Sequence, residues 1–169
     1  MRPIVSLVGA CVLILCVSAC QSPIAPPTSI TLTAALSPAN EIPPVITPDA
    51  AGRGTVTILM NVSRDDAGNV TAATATVTCD LTGFPPGTTL TGAHVHIGGI
   101  NSSGSIVLDT GLGAGEVVLT TGSGSFSKQG IGVDPTVAGN MVSMPASYYF
   151  NIHTALTPGG AARGQLIRQ

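Results

Sequence analysis

The residues best placed to do chemistry are the chain's three histidines. His94 and His96 lie in Ala93-His94-Val95-His96, and His153 lies in Tyr148-Tyr149-Phe150-Asn151-Ile152-His153-Thr154. Both segments read as strands, on which successive side chains point to opposite faces. His94 and His96 then share one face, ~6.6–6.8 Å apart along the strand, while Ala93, Val95 and Ile97 take the other. The same parity groups Tyr149, Asn151 and His153 opposite Tyr148, Phe150 and Ile152. If the two strands are neighbours, three imidazoles converge. Three neutral imidazoles reaching a metal at ~2.0–2.1 Å suit zinc or copper and leave a fourth position for water. Asp109 could add a carboxylate, although no spacing rule fixes it nearby. A second reading stays open, in which the histidines bond to backbone or to Asn151 and organise a polar surface. No zinc-finger spacing and no cysteine partner accompanies them.

Other candidate groups are sparser. Glu41 and Arg163 could form a structural pair across the first and last strands, and a partly exposed pair of this kind contributes ~0–1 kcal/mol. The Gly-rich run Gly111 to Gly124 precedes no evident helix, so it reads as a hairpin connection rather than a phosphate cradle. No Ser–His–Asp order and no pair of catalytic carboxylates is convincing, so the expectation is a protein that is not an enzyme. Asn61, Asn69 and Asn101 begin chance matches to the glycosylation pattern. Net charge is −2 and the six basic residues form no cluster, which disfavours nucleic acid as a partner. With no Trp, two Tyr and three Phe, a stacking platform for sugars or bases is also unsupported.

The N-terminus reads as an address. Arg2 precedes the uncharged run Ile4–Val17, which falls short of the ~20 residues that span a bilayer and fits a signal-peptide core instead. It ends in Val17-Ser18-Ala19-Cys20, which resembles the lipobox of bacterial lipoproteins. That resemblance implies a signal peptide over residues 1–19 and an acylated Cys20 as the mature N-terminus. A Pro-rich tether over 20–30 and a β domain over 31–169 follow. The implied location is extracytoplasmic and membrane-anchored, with the outer membrane or cell surface preferred because Gln21 stands where inner-membrane lipoproteins often carry Asp. Cys11 and Cys16 leave with the signal, so Cys79 is alone and reads as a small core residue. Without lipidation, a Cys20–Cys79 bridge is the competing explanation.

These groups need elements to position them. Ile30–Leu36, Gly54–Ser63, Val70–Leu81, Leu90–Ile97, Ile106–Asp109, Glu116–Thr120, Gly124–Ser127, Tyr148–Thr154 and Gly164–Ile167 read as strands separated by turn signals, among them Asp65–Asn69. Asp134 reads as an N-cap and Pro135 as the first residue of a helix of one or two turns through Val142. The expected fold is all-β, an antiparallel Greek-key-like sandwich or barrel with one short helix.

Four segments also occur in a familiar order: Leu36-Ser37-Pro38-Ala39-Asn40-Glu41-Ile42-Pro43-Pro44, the Ala93–His96 run, the Tyr148–Thr154 run, and Arg163-Gly164-Gln165-Leu166. Together they resemble the CHRD domain, known from chordin and from bacterial secreted proteins, although Ala161-Ala162 stands where an acidic or aliphatic residue is expected. The resemblance implies an extracellular β-sandwich with no established catalysis and names no ligand. Gly92–His96 is also similar to the His-x-His strand of copper–zinc superoxide dismutases, but three histidines cannot supply their two-metal site. The leading expectation is therefore a lipid-anchored, non-enzymatic module binding a protein or matrix partner. The alternative is a metalloprotein with zinc or copper at His94, His96 and His153.

Overall fold

Long runs of alternating Thr, Val, Ala and Ile carry the architecture, because β-branched side chains pack well on a half-buried pleated surface. The computed structural model describes residues 28–169. The expected signal peptide, Cys20 and most of the tether lie outside the described residues. In chain order the strands are β1 (Thr28–Leu36), β2 (Arg53–Arg64), β3 (Val70–Thr82), β4 (Thr88–Ile97), β5 (Ile106–Asp109), β6 (Val118–Leu119) and β7 (Gly124–Val133). The helix α1 (Pro135–Ser143) follows, then β8 (Tyr148–Thr154), β9 (Ala162–Gln165) and β10 (Ile167–Arg168).

One sheet runs β10-β1-β2-β3-β7 and the other β5-β4-β8-β9, with β6 pairing to the start of β4. All the pairings are antiparallel, and the two sheets are not closed into a barrel. The core lies between them. Leu32, Ile58 and Val77 form one cross-strand row, each fully buried. Ala93, Val95, Phe150 and Ile152 face them from the second sheet, also fully buried. Burying one such large side chain contributes ~1.5–3 kcal/mol.

The structure moves several boundaries. Thr28 and Ser29, expected in the tether, pair with Val62 and Asn61, so β1 begins earlier. The strand expected over Glu116–Thr120 shrinks to Val118–Leu119, because the backbone turns on either side of it: Glu116 N–H bonds back to the Gly113 carbonyl and Gly122 N–H to the Leu119 carbonyl. β7 continues to Val133, past glycines that hide its alternation, with a bulge against Ala75–Val77. The last strand splits in two at Leu166, whose side chain is fully buried between the sheets. Gly164 is required there: a Cβ would collide with the Ala35 carbonyl where β9 crosses β1.

Ile97, expected on the core face, is 47% exposed because β4 ends there beyond the sandwich edge. Asp134 caps α1 as its sequence suggests, its Oδ1 accepting from Thr136 N–H at 2.9 Å and Val137 N–H at 3.0 Å. Ala138, Met141 and Val142 turn inward, and the helix rests on β3. Asp134→Ala should lower unfolding free energy by about 1 kcal/mol, the usual cost of losing an N-cap. Urea denaturation checks this, and an unchanged midpoint would show that α1 is held by packing alone.

Candidate metal centre

The β4–β8 register decides which side chains meet. His94 lies opposite Asn151, His96 opposite Tyr149, and Gly92 opposite His153. All three imidazoles therefore project from the outer face of the second sheet, as strand parity predicts. Gly92 leaves the space that His94 fills, since a Cβ there would come 3.0 Å from the His94 ring. One nitrogen from each histidine falls within 4.8 Å of the others, the one such trio among the described residues. A tetrahedral ion with ~2.0–2.1 Å bonds needs ligand nitrogens ~3.3–3.4 Å apart, so side-chain rotations of roughly an ångström would close the site.

Hydrogen bonds select which nitrogen is free in two of the rings. His96 Nδ1 lies 2.9 Å from the Gly104 carbonyl, and His153 Nδ1 lies 2.8 Å from the Pro158 carbonyl. A carbonyl only accepts, so both Nδ1 atoms donate and both Nε2 atoms keep a lone pair in the neutral ring. His94 is turned the other way, with Nε2 3.7 Å from Asp109 Oδ1. The remaining nitrogens are His94 Nδ1, His96 Nε2 and His153 Nε2. All three are buried, and none has a hydrogen-bond partner.

The electrostatics favour the neutral form of two of these rings, His94 and His153. Burial holds the His94 pKa below the usual histidine value, His153 and His96 push it the same way, and Asp109 opposes them. His153 is likewise lowered, first by burial and then by His96, against the pull of the Pro158 carbonyl. Neutral imidazole is the form that ligates metal. Asp109 does not enter the trio. It sits behind His94, the usual place of a carboxylate that orients a ligating ring.

The expected Glu41–Arg163 pair is not found. Among the described residues the ion pairs are Lys128–Glu116 at 2.7 Å and His94–Asp109 at 3.7 Å. Arg163, on β9 opposite Asn151, is 1% exposed. Its Nη2 lies 3.1 Å from each of the carbonyls of Gly99, Ile100 and Ser102, and its guanidinium lies 3.9 Å from the Tyr149 ring centre. Glu41 is buried just after the short turn Pro38–Asn40, with its carboxyl against Gly160. Both groups were expected to be partly exposed. They are covered because loops, rather than solvent, lie over this face of the sheet.

Strand patterning misses the parts of the site that come from these loops. The carbonyls of Gly104 and Pro158 carry no side-chain signal. Tyr149 shares the parity of His153, yet only the register shows its ring parallel to His96, with centroids 4.9 Å apart and 5° between planes. Asp49, fully buried, accepts from Thr154 Oγ1 at 2.6 Å and Thr157 Oγ1 at 2.7 Å. It thereby pins the loop that presents Pro158. Cys79 is buried in β3, as expected of a core thiol, and burial pushes its pKa up to about 12.

The family model of the CHRD domain matches residues 32–166, nearly all of the described chain. No match is found among curated proteins or among solved structures.

Burial raises the Glu41 pKa from 4.5 to about 7, with Arg163 and Asn151 opposing it. Folding thus favours the neutral acid, so the contribution of Glu41 to stability is fullest below pH 4.5 and is lost as pH rises through about 7. Glu41→Gln removes that ionisation. The stability of the variant relative to wild type should increase by on the order of 2 kcal/mol between about pH 5 and about pH 8. Paired denaturation curves at the two pH values measure it, and a difference that stays flat would contradict a buried, titrating Glu41.

Proposed function

Because the chain belongs to the CHRD domain family, we propose that it is a binding module, lipid-anchored outside the cytoplasm, whose bound species is one zinc or copper ion. His94 Nδ1, His96 Nε2 and His153 Nε2 would hold the ion. The observation that carries this reading is the convergence of three imidazoles, each with one buried nitrogen that has no partner. Leaving one such group unsatisfied costs ~1–3 kcal/mol, and a bare polar surface gives no reason to place three together. An ion replaces all three missing interactions at once.

The donor set narrows the ion. Calcium and magnesium prefer oxygen ligands, which this trio does not offer. Imidazole suits zinc and copper, and three donors leave a coordination position for water or a small ligand. The role proposed is metal holding rather than turnover, supported by the lack of a complete catalytic constellation in the sequence. Ile42, Ile46, Ile100 and Leu156 are exposed on loops of the sandwich, which supports a protein or matrix partner as a further contact of the module. The resemblance of Val17–Cys20 to a lipobox supports the anchor, and Gln21 supports the outer membrane or cell surface.

Elemental analysis of the purified protein tests the metal. Wild type should hold close to one zinc or copper per chain, and His96→Ala should weaken binding at least 100-fold. Affinity should fall as pH drops through the histidine range, because protonated rings cannot ligate. Sub-stoichiometric metal that His96→Ala leaves unchanged would sink the proposal. The anchor has a separate test: Cys20→Ala should abolish palmitate labelling and release the protein from membranes. Labelling that persists in that variant would refute lipidation at Cys20.

A further inference from the structure

We infer that Arg163 is a positioning residue of the metal centre, setting the free nitrogen of His96 without approaching the ion. This inference rests on the metal reading of the three histidines. Two routes run from the guanidinium to His96. The first is through the backbone. Arg163 Nη2 gathers the carbonyls of Gly99, Ile100 and Ser102 at 3.1 Å each. Gln165 Nε2 donates to the preceding Gly98 carbonyl at 2.9 Å. The segment so gathered ends at Gly104, whose carbonyl accepts from His96 Nδ1. The second route is through the rings. The guanidinium lies against Tyr149, whose ring stacks parallel to His96, and the Tyr149 hydroxyl accepts from Gly104 N–H at 3.4 Å.

Both routes end on the same imidazole. The stack fixes the plane of the His96 ring, and the carbonyl fixes which nitrogen carries the proton. Together they leave Nε2 bare and facing the other two donors. A planar, always-charged guanidinium fits this task, since it can lie flat on Tyr149 and donate in its own plane to the loop. A lysine ammonium has the charge but neither the plane nor the fork. No carboxylate lies within ion-pair distance of Arg163, so its direct partners are the loop carbonyls and the Tyr149 ring, and Glu41 acts on it only at longer range.

The test reads each histidine separately. In the full chain stripped of metal and held at mildly alkaline pH, 15N-histidine NMR should show the Nδ1–H form for His96 and His153 and the Nε2–H form for His94. In Arg163→Lys, His96 alone should become a mixture of forms, and zinc affinity should fall about 10- to 100-fold, as for other partners of ligating histidines. A purely structural role would disturb all three rings together. The inference is overturned if folded Arg163→Lys keeps His96 in one Nδ1–H form with zinc affinity within about twofold of wild type. An Nε2–H form of His96 in the wild type overturns it without any variant. Should Arg163→Lys not fold, Tyr149→Leu breaks the ring route, and an unchanged His96 signal there counts against the inference. If wild type takes up no zinc, the metal reading falls, while the tautomer spectra still show whether Arg163 governs His96.

Discussion

A buried guanidinium without a carboxylate partner is the constraint around which this face of the molecule is arranged. Removing an arginine from water is costly unless each donor finds an acceptor. Arg163 is 1% exposed, and the loop between β4 and β5 closes over it to supply carbonyls. The strand below supplies the face of Tyr149. The outer face of the second sheet is therefore covered by backbone rather than by a third layer of secondary structure. A loop folded against a buried cation brings carbonyl oxygens to fixed places, and one of them, that of Gly104, orients His96.

The same logic recurs on the other side of the trio. Asp49 is fully buried and satisfied in part by the hydroxyls of Thr154 and Thr157, which fixes the turn that presents Pro158 to His153. Each histidine thus has its own holder from a different segment: Asp109 on β5, Gly104 beyond β4, and Pro158 beyond β8. Rings held this way lose little freedom when a ligand arrives, and such preorganisation is what makes a compact site bind well. The cost lies in the three nitrogens left bare, which makes the arrangement hard to explain as a scaffold alone.

Charge follows burial throughout this face. Folding favours neutral His94 and His153, whose pKa values are lowered, and neutral Glu41, whose pKa is raised. Acid protonates the histidines and base ionises the glutamate, so each end of the pH range penalises a different group. Stability drawn from this region is greatest where the two penalties are least.

The sequence by itself determined the local features. Strand parity placed His94, His96 and His153 on outward faces, because the period of two is a property of the backbone. The cap of α1 was legible because Asp134 acts on amides two and three residues away. The order of the four motifs also carried the family, and alternation carried most strand positions, failing where glycines blurred β7 and where Leu166 broke the last strand. What the tertiary structure alone decided is non-local. That His153 meets His94 and His96 depends on register. Which nitrogen of His96 and of His153 is free depends on carbonyls from loops whose side chains give no sign of it. That Arg163 grips a loop instead of pairing with Glu41 depends on how that loop closes over the sheet. Side-chain patterns record the alternation of a strand, but backbone oxygens are identical in every residue, and only the folded chain shows where they point.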